Sequence, residues 1–134
     1  MRIGWTLPQH GAVAGPESLI RFSKRAEDLG VDSLWVCERL LWPVSPKAPY
    51  PASADGSLPV QFQRELDPLE TLTFVAAHTQ RARLGTSVIN LPYYNPVMLA
   101  RRIASRSRPT GPLCSTRQAL TPPWVRWLHC SRGI

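Results

Sequence analysis

Apolar residues recur in two alternating patterns along the first hundred positions of this chain. Continuous apolar runs rich in strand-forming side chains predict buried strands over residues 2–7, 31–36 and 83–89. Runs in which apolar residues are three or four positions apart predict amphipathic helices that begin near residues 16, 68 and 96. Strand and helix therefore alternate three times, which predicts an α/β fold with a parallel sheet of about three βα units.

Proline, glycine and acidic residues mark the ends of these predicted helices. Gly15-Pro16-Glu17 places a proline at the first helical position with an acid beside the positive end of the helix dipole, and Gly30 stands where a C-cap belongs. Asp67-Pro68-Leu69-Glu70 has the form of a capping box, in which Asp67 caps the helix and Glu70 reaches back. Asn95-Pro96 opens the third helix.

The segment from Trp42 to Leu66 interrupts the alternation. Five prolines exclude regular structure there, and its length exceeds that of the usual βα connection. Because it follows the carboxyl end of a strand, where α/β proteins bind ligands, the segment is interpreted either as a lid that shapes a substrate site or as a plain surface insertion.

Charge and composition change abruptly near residue 100. Residues 1–100 contain nine basic and nine acidic side chains, whereas residues 101–134 contain seven Arg and no acid and so carry the whole net charge of +7. No periodic apolar face continues after Ala104. The sequence therefore predicts an irregular basic tail over residues 105–134, and the overall positive charge says little about the first 104 residues.

Several functional classes receive no support from the sequence. The first apolar run is too short for a signal-peptide core or a membrane span, so a cytosolic protein is the simplest expectation. The three cysteines form no CxxC pair, and the three histidines have no ligand-like spacing to Cys, Asp or Glu, so neither a disulfide framework nor a metal site is predicted. General phosphate-binding and hydrolase motifs are also absent.

The candidate chemistry lies in polar residues that follow the predicted strands. Glu38 and Arg39 come directly after the second strand, where a parallel sheet would present them at its carboxyl edge. They could bind an anion or the edge of a heterocycle, or they could form a solvated ion pair. Thr86, Ser87 and Asn90 occupy the same edge of the third strand, and their hydrogen-bond partners could be a cofactor or backbone groups.

Three segments, in this order and spacing, resemble the N-terminal part of the luciferase-like monooxygenase superfamily, and most closely its branch that uses the deazaflavin coenzyme F420. They are residues 26–39 (AEDLGVDSLWVCER), 67–72 (DPLETL) and 84–101 (LGTSVINLPYYNPVMLAR). The resemblance covers residues 1–104, which it assigns to a partial TIM (β/α)8 barrel. It implies F420, or alternatively FMN, bound at the carboxyl ends of the strands.

The resemblance also implies roles for individual residues. Glu38 and Arg39 are expected to act in catalysis, Arg39 standing where relatives often have His. Trp5 and Trp42 are expected to line the substrate side. Many relatives have a non-prolyl cis peptide behind the cofactor ring, which this match places between Ser87 and Val88. The residues expected to bind the cofactor are Glu38, Thr86, Ser87, Val88 and Asn90.

The implied activity is hydride transfer between the deazaflavin and a small organic substrate, or oxygen activation with reduced flavin. A complete barrel takes about 250 residues, so this chain is expected to be an incomplete fragment that is unstable, inactive alone and able to bind cofactor weakly or not at all. We interpret residues 105–134 as out-of-frame sequence, a hypothesis that translation of the other reading frames tests. Alternatively, the Arg-rich tail binds nucleic acid, or partner copies of the chain assemble to complete the barrel.

Overall fold

The predicted order of strands and helices is confirmed in a computed structural model that describes residues 1–105. Strands β1 (Gly4–Thr6), β2 (Ser33–Val36) and β3 (Arg83–Thr86) alternate with helices α1 (Pro16–Asp28), α2 (Pro68–Ala76) and α3 (Pro96–Ser105). The strands form one parallel sheet in the order β1-β2-β3. The register pairs Trp5 with Leu34 and Leu34 with Leu84. The expected basic tail at 105–134 lies almost entirely outside the described residues.

The residues predicted to cap the helices lie at the helix ends, and one predicted capping interaction, that of Glu70, is not formed. Pro16 is the first residue of α1, and Gly30 follows that helix with a left-handed φ of +77°, which glycine adopts readily. The Asp67 carboxylate accepts hydrogen bonds from two N–H groups at the start of α2. Asn95 caps α3 in the same way. Glu70, however, pairs with Arg102 of α3 and does not complete the expected capping box.

The hydrophobic core lies between the helices and one face of the sheet. Leu34 and Val36 of β2 are fully buried on this helix-facing side. The core residues come from all three strands or their ends and from α1 and α2: Leu7, Leu19, Ala26, Val31, Leu34, Val36, Leu72, Val75 and Leu84. Burial of these side chains is the main stabilising contribution available to so small a sheet.

The expectation of a buried first strand and of a second strand covered on both faces is wrong for residues 1–105. All three residues of β1 are exposed, and the residues of β2 alternate between partly and fully buried. The physical reason is that helices within the described range cover only one face of the sheet, and β1 is an edge strand with one hydrogen-bonded neighbour.

Trp35 occupies the other face of the sheet, which we call the inner face. A Cβ atom added to Gly4 of β1 or to Gly85 of β3 would lie 2.7 Å from atoms of the Trp35 indole. The absence of side chains at both glycines therefore lets the indole lie across all three strands. Its Nε1 donates a hydrogen bond to Ser33 Oγ at 2.8 Å.

The turn that leads from α2 into β3 is fastened to the end of α1. The carboxylate of Glu27 accepts hydrogen bonds from the backbone N–H groups of Gln80, Arg81 and Ala82. Burial acts to raise the pKa of Glu27, but these backbone hydrogen bonds outweigh it and hold the pKa below its ordinary value of 4.5. Glu27 thus fixes the position at which β3 enters the sheet.

Candidate functional site

Polar side chains gather at the carboxyl edge of the sheet, where the three strands end. Two neighbouring groups of residues lie there. We call the first, Glu38, Asn90 and Tyr94, the Glu38 group. We call the second, His10, Cys37 and Glu65, the His10 cluster.

The Glu38 group joins the end of β2 to the segment after β3. One carboxylate oxygen of Glu38 accepts a hydrogen bond from the backbone N–H of Asn90 at 2.6 Å, and the other accepts one from the Tyr94 hydroxyl at 2.5 Å. Burial and the adjacent carboxylate of Glu38 raise the pKa of the Tyr94 hydroxyl, so this phenol is a hydrogen-bond donor at neutral pH. The side-chain amide of Asn90 makes no hydrogen bond within residues 1–105.

The other predicted cofactor-binding residues are divided between the two faces of the sheet. The register places Thr86 beside Val36 on the helix-facing side, where it is buried. Ser87 is exposed, and its N–H and hydroxyl both donate to the carbonyl of Val36. Val88 is half exposed. The edge of β3 therefore presents Ser87, Val88 and Asn90, but not Thr86.

The expected cis peptide between Ser87 and Val88 is not found, since every peptide bond within residues 1–105 is trans. With this peptide bond trans, the N–H of Ser87 donates to the carbonyl of Val36. The hydrogen bonding between β2 and β3 therefore continues one residue past the end of β3.

The two predicted substrate-lining tryptophans lie apart. The Trp5 ring packs against the Phe22 ring of α1, with 6.0 Å between centroids. Since Phe22 lies on the helix-facing side, we do not assign Trp5 to a substrate site at the inner face. Trp42 is partly buried at the start of the long loop, four positions after Glu38.

Arg39 attaches the long loop to the edge of the sheet. Its guanidinium lies 4.6 Å from the ring centroid of Phe62 and 5.6 Å from that of Tyr50, which are cation–π distances. Its backbone N–H donates to Glu65 at 2.9 Å. The side chain that was expected to act in catalysis is therefore engaged by aromatic rings of the loop.

The His10 cluster was not predicted from the sequence. His10 Nε2 lies 3.5 Å from the Cys37 sulfur, and His10 Nδ1 lies 3.4 Å from Oε2 of Glu65. Burial and the nearby Glu65 carboxylate raise the pKa of the Cys37 thiol, and burial likewise raises the pKa of Glu65. A signal existed in the sequence, because His10 and Cys37 both follow neighbouring strands. Glu65, in a loop without periodicity, gave none.

Gln9 and Gly11 hold the His10 cluster in place. The fully buried Gln9 side chain bonds both the N–H and the carbonyl of Cys37, and also Glu65 Oε1. Gly11 has a left-handed φ of +69°, and its N–H donates to Arg64. A Cβ there would lie 3.0 Å from Gln61, so a glycine allows the loop to approach closely.

Proteins with parallel βα sheets commonly bind ligands at the carboxyl edge of the sheet, which is where these polar groups converge. The luciferase-like monooxygenase family model matches residues 1–106. The chain therefore belongs to the luciferase-like monooxygenase family, as the resemblance predicted.

Two kinds of curated relative are similar to this chain. An uncharacterised protein of Mycobacterium tuberculosis H37Rv is 36% identical over 84 residues, which cover 62% of this chain and 30% of the relative. An F420-dependent glucose-6-phosphate dehydrogenase of Amycolatopsis mediterranei is 32% identical over 95 residues, which cover 69% of this chain and 24% of the relative. The matched part of the chain thus spans less than a third of these relatives. None of the helices within residues 1–105 has the length and apolar character needed to cross a membrane.

Proposed function

We propose that this chain provides the first three βα units of an F420- or FMN-dependent oxidoreductase barrel, with the cofactor ring at the Glu38 group. The observation that carries the proposal is the position of Glu38, fixed by Asn90 and Tyr94 at the carboxyl edge of β2 and β3. The similarity to an F420-dependent dehydrogenase favours the deazaflavin over FMN.

The residues at this edge fit a planar ring that has apolar faces and a polar rim. Each oxygen of Glu38 accepts one hydrogen bond from the protein and retains a lone pair for an N–H of the ring. The Asn90 amide can donate to a ring carbonyl. Exposed apolar side chains of Leu40, Leu41 and Val88 offer surface for the ring faces.

When bound, the cofactor supplies the hydride chemistry, and the protein supplies orientation and electrostatics. Glu38 holds its position because two donors fix both carboxylate oxygens, and Tyr94 keeps its proton because its pKa is raised. Arg39 acts as an anchor for the loop and not as an acid or base. The loop from Trp42 to Leu66, packed against this edge through Phe62, would cover a small organic substrate.

Binding of the separate ligands tests the proposal. In ¹H–¹⁵N spectra, F420 should shift the amide signals of residues 86–94, and FMN should do so more weakly. The Glu38→Gln and Asn90→Ala variants should reduce these shifts, whereas Asp28→Asn, on the exposed surface of α1, should not. Shifts confined to the opposite edge of the sheet, or shifts of equal size in the wild type and in Glu38→Gln, would contradict the proposed site.

A further inference from the structure

We propose that the His10 cluster is a zinc site in which His10 Nδ1, Glu65 Oε2 and the Cys37 thiolate are the ligands. Imidazole nitrogen, carboxylate oxygen and thiolate sulfur are the three donor types that proteins use for Zn²⁺. Within residues 1–105, these side chains form the set whose potential ligand atoms all lie within 4.8 Å of one another. The family assignment supplies no metal here.

Within residues 1–105, two atoms of the cluster are buried and have no hydrogen-bond partner of ordinary geometry, although they form a long ion pair with each other. They are His10 Nδ1 and Glu65 Oε2, whose side chains are 19% and 6% exposed. A buried polar atom without a partner costs free energy, so it calls for an explanation such as an ion. These two atoms face each other, and one cation between them would satisfy both.

The distance between the two atoms suits a zinc ion. Zn–N and Zn–O bonds of about 2.0–2.2 Å that meet at a tetrahedral angle of about 109° place the two ligand atoms about 3.4 Å apart. The observed separation is 3.4 Å. The Cys37 sulfur lies 3.5 Å from Nε2, the other nitrogen of the same imidazole, so Cys37 becomes the third ligand only if its side chain moves toward an ion held at Nδ1 and Glu65.

The surroundings of the cluster resemble those of a supported metal site. Glu65 Oε1 accepts hydrogen bonds from the N–H of Arg39 and from Gln9, which leaves Oε2 directed toward His10. Gln9 also fixes both backbone groups of Cys37. Such supporting hydrogen bonds orient metal ligands in proteins. Three protein ligands leave a fourth position for water or for an oxygen atom of a small molecule.

Metal titration without any flavin or deazaflavin tests the proposal independently of the proposed function. In this experiment Cys114 and Cys130 are both replaced by Ser, so that any thiolate signal comes from Cys37. After dialysis against a chelator, we expect Co²⁺ to give a thiolate-to-cobalt charge-transfer band and tetrahedral d–d bands. Zn²⁺ should abolish both and raise the Tm.

Each ligand has its own variant. His78→Gln is the matched control because His78 lies just after α2, where its Nδ1 is hydrogen-bonded to the backbone carbonyl of Phe74. Cys37→Ser, His10→Gln and Glu65→Gln should each weaken Zn²⁺ binding by more than about 100-fold, since loss of a mere supporting residue costs about 10- to 100-fold. Circular dichroism confirms that the variants fold. Failure of Zn²⁺ to raise the Tm, a Co²⁺ spectrum without the charge-transfer band, or affinity unchanged in all three folded variants would overturn the proposal.

Discussion

Glu27 accepts an unusual number of backbone hydrogen bonds for a side chain near the surface, and we expect its removal to destabilise the sheet. Its carboxylate accepts three backbone N–H groups, from Gln80 at 2.9 Å, from Ala82 at 2.7 Å and from Arg81. Hydrogen bonds to a charged group contribute about 1.5–3 kcal/mol each, and solvent access at this site reduces that to about 1 kcal/mol each. Glu27→Ala should therefore lower the free energy of unfolding by about 3 kcal/mol.

The Glu27→Gln variant separates charge from hydrogen bonding. One carbonyl acceptor remains, so we expect a loss of about 1 kcal/mol at neutral pH. Because the pKa of Glu27 is lowered in the folded chain, its stabilising contribution is complete above its ordinary pKa of 4.5 and is lost as the pH falls through the folded value. The difference between wild type and Glu27→Gln should therefore shrink below pH 4.5.

Urea unfolding followed by circular dichroism measures these differences, with Asp28→Ala as the control. Asp28 is the next acid on the same helix, is exposed and makes no hydrogen bond within residues 1–105. Its removal should change the free energy of unfolding by less than about 0.5 kcal/mol. If Glu27→Ala and Asp28→Ala were equally stable, or if the effect of Glu27→Gln grew at low pH, the Glu27 carboxylate would not be what holds this turn.

Three further substitutions test the packing and capping of the fold by the same measurement. Asp67→Ala should cost about 1 kcal/mol because two N–H groups of α2 lose their acceptor, while Asp67→Asn should restore most of it; equal losses would contradict the capping role. Gly85→Ala should cost about 1–3 kcal/mol because its Cβ would meet Trp35, whereas Gly15→Ala, with nothing within 4 Å, should be tolerated. Leu34→Ala should cost about 2–5 kcal/mol, and a loss below this range would show that Leu34 is not in a packed core.

Local sequence signals predicted the order of the elements because those signals are local in physical origin. Pro16, Asp67 and Asn95 determine where the helices start through backbone geometry and short-range hydrogen bonds. Burial could not be predicted in this way. The apolar run at Gly4–Thr6 forms a strand, yet its exposure depends on which other elements cover the sheet.

In the candidate site, too, the features that depend on nearby sequence could be predicted, and the contacts between distant segments could not. Glu38 and Asn90 could be placed at one edge because parallel strands end together. The partner of Arg39 could not be predicted, since Phe62 follows it by 23 positions in a loop without periodicity. Thr86 and Ser87 are adjacent in sequence, but the alternation of side chains places Thr86 on the helix-facing side.

The long loop leaves the sheet at Arg39 and returns at Glu65, and these two residues are hydrogen-bonded to each other. Two backbone hydrogen bonds, from Gly11 to Arg64 and from Leu66 to Gln9, hold the end of the loop at residues 64–66. Neither hydrogen bond involves the residues between Arg39 and Arg64. The loop between Arg39 and Glu65 thus has its two ends held close together by hydrogen bonds. Doubling the length of such a loop costs only about 0.6 kcal/mol, so its sequence and length can diverge while the chemical groups at its two ends keep their geometry. Loop exchange between relatives at these two junctions should therefore leave the positions of Arg39 and Glu65 unchanged.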